Sequence, residues 1–135
     1  MKRLGAFTLL VFALAGCNGG TVDDHALKRD AEKIASLATE GGLLANDVSK
    51  GASTKPFVSV HAQELSQAAS NMSDALAERP TSPGIERDVR KLSRVAARVS
   101  RHLDQLHLHP TDRDVAASLK GPLARDADAA NRLSK

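Results

Sequence analysis

Six cations recur at helical spacing in one stretch of this chain: Arg87, Arg90, Lys91, Arg94, Arg98 and Arg101. At 100° per residue they fall on one side of a helix, opposite an apolar stripe, and form an outward basic face. Such a face can pair with anionic lipid headgroups, or with the carboxylates of an acidic protein through Arg forks. It can also be a solvated surface partly neutralised by Glu86 and Asp88, with little energetic effect. Just beyond it lie His102, His107 and His109, whose steps of five and two do not make an i, i+4 pair. They are the candidate metal ligands, His107 and His109 with Asp104 or Asp112 if the helix frays near Pro110; cations at a helix C-terminus, favourable to its dipole, are the commoner explanation. His61 stands three residues before Glu64, the reverse of the Glu-x-x-His order of di-iron bundles and without a second copy, so it reads as a boundary histidine. Met72 and a histidine could ligate haem, but neither Cys-x-x-Cys-His nor an aromatic pocket supports it. No nucleophile beside a base, no convergent carboxylates and no phosphate-cradling glycine loop stands out, so neither an enzyme nor a cofactor is expected.

The N-terminus, MKRLGAFTLLVFALAGC, has a basic start, an apolar run from Leu4 to Ala15 and small residues before the cysteine. That is the layout of a secretory signal, and the run is too short for the roughly 20 residues of a membrane-spanning helix. Leu14-Ala15-Gly16-Cys17 resembles the bacterial lipoprotein lipobox. The resemblance implies that residues 1–16 are removed, that Cys17 is lipidated and that residues 17–22 are a short tether to one domain over 23–135. It also implies export and anchoring to a cell membrane. With Asn18 rather than Asp after the cysteine, that is the inner leaflet of the outer membrane where there are two membranes, and the outer face of the plasma membrane where there is one. No family beyond the signal is identified. Cys17 is the only cysteine, so once lipidated it leaves no thiol for a disulfide, a nucleophile or zinc.

Removing the leader changes the charge arithmetic. The full chain of 135 residues has 19 Lys and Arg against 16 Asp and Glu; losing Lys2 and Arg3 leaves 17 against 16, a formal charge of about +1. Residues 81–110 hold 6 of those cations against 3 acids, so the basic character belongs to one segment. Phe57 is the only aromatic left, which with export and near-zero charge argues against nucleic acid.

What must position these residues is a set of amphipathic helices. Apolar and small residues recur at steps of three and four in four runs. The first is Leu27, Ala31, Ile34, Ala38, Gly41, Ala45, Val48, capped by Thr21 with Asp24 and stopped by Gly51. The second is Val58, His61, Leu65, Ala68, Met72, Ala75, begun by Thr54 and Pro56. The third is Ile85, Val89, Leu92, Ala96, Val99, Leu103, Leu106, with Ser82 as N-cap and Pro83 in the first turn. The fourth starts at Thr111 with Asp114 and runs through Val115, Leu119, Leu123, Ala127, Ala130 and Leu133. No segment alternates with period two. Matched lengths and short connections predict an all-α, up-down four-helix bundle. Two features strain the pattern: Gly41-Gly42 inside the first helix, read as a close approach of a neighbour, and Gly121-Pro122, expected to kink or split the fourth. The sequence reading is thus a membrane-anchored, non-catalytic binding or scaffold module working through its basic helix face. A ligand- or metal-binding bundle around His102, His107 and His109 is the alternative.

Overall fold

The computed structural model describes residues 20–135; the leader and Cys17 lie outside the described residues. Four helices follow one another, α1 (Asp24–Ser49), α2 (Lys55–Glu78), α3 (Glu86–Leu108) and α4 (Arg113–Leu133). Their contacts place α2 against α3 and α1 against α4 as the two closely packed pairs, with α3–α4 and α1–α2 as looser edges. A short diagonal joins α1 to α3, while α2 and α4 do not meet. This is the expected all-α four-helix bundle. None of the described helices is long and apolar enough to cross a membrane.

The two close pairs follow from small residues in their seams. In the first run every named position is buried, and alanine and glycine let α4 approach α1. A Cβ on Gly41 would stand 2.5 Å from Leu103 Cδ2, so a larger residue there requires Leu103 to shift, while Leu123 Cδ1 at 3.6 Å would be in ordinary contact. The α2–α3 seam uses serine. Ser66 Oγ donates to Asp104 Oδ1 at 2.5 Å and stands 3.1 Å from both oxygens of Ser100. Ser73 and Ser93 donate to each other's carbonyl at 2.9 and 3.0 Å, and His107 Nδ1 lies 2.8 Å from the Ser59 carbonyl. These three contacts step by seven residues along α2 and back by seven along α3, which fixes an antiparallel register over roughly 21 Å.

This seam corrects the expected stripe of α2. Its buried residues are Val58, Ala62, Leu65, Ser66, Ala69 and Leu76, whereas His61, Ala68, Met72 and Ala75 are half-buried toward α1. The helix is turned toward its tighter neighbour, because short hydroxyls bonded across the seam permit closer approach than Met72 would.

The helix starts also move. Asp23, not Thr21, caps α1, its Oδ1 accepting from Ala26 N at 2.8 Å. Asp112, not Thr111, caps α4, accepting from Asp114 and Val115. Ser82 and Pro83 do not open α3, which begins at Glu86 after a turn in which Gly84 has φ +96°. Ser82 is occupied elsewhere: its N–H donates to Val22 O at 2.9 Å, and Val22 N donates to Pro80 O at 2.7 Å. Val22 is fully buried, so it belongs to the domain and not to a free tether. Gly51 does end α1, with φ +68°. The fourth helix is not split: it runs unbroken through Pro122. Proline deprives the Ser118 carbonyl of its helical donor, but Ser118 is on the exposed face, where water can replace it.

The bond from Ala26 N holds the Asp23 carboxyl below its ordinary value of 3.8. A carboxyl whose folded pKa is depressed stabilises the fold above its unfolded pKa, and that contribution disappears as pH falls through the folded value. Fraying of α1 below about pH 4 is therefore expected, followed by amide exchange at Ala26 and Leu27. Asp23→Asn, which keeps an acceptor without a titrating proton, should flatten that dependence; unchanged acid fraying in this variant would assign the effect to another group.

Candidate functional site

Helix α3 carries the basic residues because its two faces are sharply different. Val89, Leu92, Val95, Ala96, Val99, Leu103 and Leu106 are buried, and the cations occupy the opposite side. The six are nevertheless not one uniform face; their neighbours divide them into three sets.

Arg98 is tied to α4. Its Nε donates to Asp126 Oδ1 at 3.0 Å, and His102 Nδ1 bonds Asp126 Oδ2 at the same distance. The Asp126 side chain is only 5% exposed, so both its oxygens are satisfied by α3 and the triad seals the α3–α4 edge. Buried carboxylates need such partners, and this position holds helices together. Lys91 is 3.4 Å from Asp88, an exposed i, i+3 pair of small energetic weight.

Arg87, Arg90, Arg94 and Arg101 remain. All four are exposed, and none has an ion-pair partner among the described residues. Arg90 and Arg94 lean toward α2, where they line a cleft of about 470 Å³ with Leu76, Arg79, Thr81 and Val89. Arg79 is held there by its own bonds, Nε to Gly20 O at 3.0 Å and a guanidinium nitrogen 3.6 Å from Asp30. The cleft thus adjoins the point where the chain joins the bundle, because Val22 is bridged to residues 80–82.

The histidines do not converge. His102 serves Asp126, His107 serves the Ser59 carbonyl across the serine seam, and His109 is an exposed C-cap. No group of three or more His, Cys, Asp or Glu side chains could hold a metal among the described residues. His61 behaves as a boundary residue, half-buried, 2.9 Å from Glu40 and stacked on Phe57.

Asp126, the seven-residue serine repeat and Val22 are the features sequence reasoning passed over. The first two had a visible signal. Leu119, Leu123, Asp126 and Ala130 keep the apolar spacing, so the acid stands in the seam, and serines 59, 66 and 73 share a heptad position. Comparison with known protein families, curated proteins and solved structures gives no match.

Proposed function

We propose that this chain is a non-catalytic module of the cell envelope, anchored through a lipidated Cys17, that docks an anionic membrane surface through the free cations of α3. The observation that carries this reading is the set Arg87, Arg90, Arg94 and Arg101, exposed along one helix face without partners among the described residues. Unlike Arg98, they stabilise no helix contact. The geometry at the chain's start supports a lipid rather than a protein counterpart. Gly20 is bonded to Arg79, and Cys17 precedes it by three residues, at most about 10 Å of extended chain. An anchor there would hold the start of α3 at headgroup level. Each cation at an anionic surface adds about 1 kcal/mol, so four together suffice to lay the domain down on α3 while the anchor prevents escape. The buried polar groups among the described residues, Ser66, Ser100 and Asp126, are all used in helix–helix bonds.

The test is flotation of residues 18–135, which retain every described helix and the Val22 bridge, with vesicles of graded anionic lipid content. Arg87→Glu/Arg101→Glu is the appropriate variant, since Arg98 substitutions would disturb the fold. Binding should rise with anionic lipid, fall with salt as exposed charges require, and drop at least about tenfold in the variant. Absence of binding by the intact chain at low salt would overturn the membrane reading and direct crosslinking of the anchored protein toward acidic protein surfaces.

A further inference from the structure

We propose that the groove between α1 and α2 receives an acyl chain carried on Cys17, which gives the anchor a berth on its own domain when no bilayer holds it. This inference rests on the reading of Cys17 as lipidated and adds where that lipid goes. Helices α1 and α2 are tied at two levels, by Arg79 and Asp30 at 3.6 Å and by His61 and Glu40 at 2.9 Å. Between those ties no hydrogen bond or ion pair joins the two helices among the described residues, and a groove of about 590 Å³ lies there, within the size of small-ligand sites. It continues into a hollow of about 210 Å³ that shares Lys33 and Met72 with it and ends at Arg79.

The walls suit a hydrocarbon. Leu37, Ala68, Met72 and Ala75 are half-buried, so each keeps apolar surface open to the groove, and covering that surface is what the hydrophobic effect favours. Arg29 and Lys33 share the rim with Glu32, and their stems can extend the wall while their heads stay in water. From Ala68 to Arg79 the groove follows about 16 Å of α2. One leaflet's chains fill about 15 Å, half of the hydrocarbon core, so the length suits an acyl chain. The groove also begins where the chain does: Arg79 holds the Gly20 carbonyl at 3.0 Å, and Cys17 is three residues earlier, at most about 10 Å away. Other hollows lack this combination. The cleft of Arg90 and Arg94 has its large apolar side chains, Leu76 and Val89, already 3% exposed, and the hollow around Arg87 and Lys91 has no apolar wall. The hollow between α1 and α4 has Leu43 as its large apolar residue, about 20 Å beyond Asp30 along α1. A bilayer surrounds the same chain with apolar matter on all sides, so the groove is filled when the domain is off the membrane.

The experiment uses residues 17–135, which keep every described helix and have Cys17 as their only thiol and Met72 as their only methionine. A palmitoyl-length chain bearing a mid-chain nitroxide is attached to the Cys17 thiol, and the isotope-labelled Met72 methyl is followed by NMR against a chain whose thiol is blocked by a methyl group. The Met72 signal should shift on attachment. A short tether supplies a millimolar effective concentration, so the attached nitroxide should broaden Met72 at least about tenfold more than an equal micromolar amount of the free nitroxide chain. Ala68→Glu, its fold confirmed by circular dichroism, sets a charge in the groove; it should return Met72 to the reference signal and convert the acylated chain from a monomer to micelle-like oligomers in sedimentation. A Met72 signal indifferent to the attached chain would overturn the groove and leave the anchor standing. Equal broadening by the free chain would make the groove a general lipid site, and broadening lost on dilution would assign the acyl chain to a second copy; either result overturns the proposal. Mass spectrometry of the full chain purified from bacterial membranes reports on the anchor separately: an unmodified Cys17 would overturn the anchored reading and take the groove's occupant with it.

Discussion

Leu103→Ala should cost about 3–4 kcal/mol of folding stability, and Gly41→Ala in the same chain should return at least about 1 of it. Leu103 is fully buried beside Gly41 of α1 and Leu123 of α4, so its deletion leaves a cavity walled by three helices that cannot all close in. Alone, Gly41→Ala removes a helix-propensity penalty of about 1 kcal/mol but forces a methyl against Leu103 Cδ2, and overpacking of that kind costs about 1–3. Repulsion should win, because Leu103 has no exposed direction in which to turn. Together the substitutions remove each other's fault: the new methyl enters the space the leucine left, and the propensity gain is kept. Gly42→Ala is the internal control. Its Cβ would meet nothing nearer than Leu123 Cβ at 4.0 Å, so it should stabilise by about 1 kcal/mol in either background. Urea unfolding of the four variants gives the cycle directly. Additivity of Leu103→Ala and Gly41→Ala within about 0.5 kcal/mol would mean that the glycine is not there for the leucine.

The same contact marks where sequence reading succeeds. Gly41-Gly42 was expected to mark a close helix approach, and Gly41 does so while Gly42 does not; periodicity placed both on α1 but could not say which of two adjacent glycines meets a neighbour. The apolar runs of α1, α3 and α4 recover most buried positions, missing among others Ala35, Leu44, Val95 and Asp126, because their seams are largely aliphatic and hydrophobic burial is what the period records. In α2 the tightest seam is made of hydroxyls, which a hydrophobic pattern counts as surface, so Met72 and Ala68 were favoured over Ser66 and Ala69. The basic stripe shows a second kind of limit. A helical period tells which way Arg98 points, but its role depends on Asp126, 28 residues on. Distance in sequence also hid Val22, whose burial depends on backbone bonds to Pro80 and Ser82 that no side-chain pattern encodes. The six cations were legible as one stripe; which four of them are free was not, nor was the cleft that separates Arg90 and Arg94 from Arg87 and Arg101, because its far wall comes from α2.

Asp126 allows that division of the stripe to be tested through stability, and the expected order of losses is unequal. Removing both donors, in Arg98→Ala/His102→Ala, strands a carboxylate that is 5% exposed, and an uncompensated buried charge costs about 3–5 kcal/mol. Asp126→Ala instead frees Arg98 and His102, which are 42% and 26% exposed and can turn their heads to water, so the loss should be smaller, about 1–2 kcal/mol. The triple variant should therefore be more stable than the Arg98→Ala/His102→Ala double by about 2 kcal/mol, although it has lost one more native side chain. Urea midpoints at neutral pH decide this; a triple variant no more stable than the double would show that Asp126 is hydrated in solution and that Arg98 is as free as its neighbours. Arg87→Ala and Arg101→Ala, by contrast, should shift the midpoint by no more than about 0.5 kcal/mol equivalent, since nothing in the fold depends on them. A cation whose loss leaves the fold intact is free to meet an external anion. By that criterion, four of the six residues on α3 are free of the fold, Arg98 belongs to the bundle, and Lys91 faces its own helix neighbour Asp88.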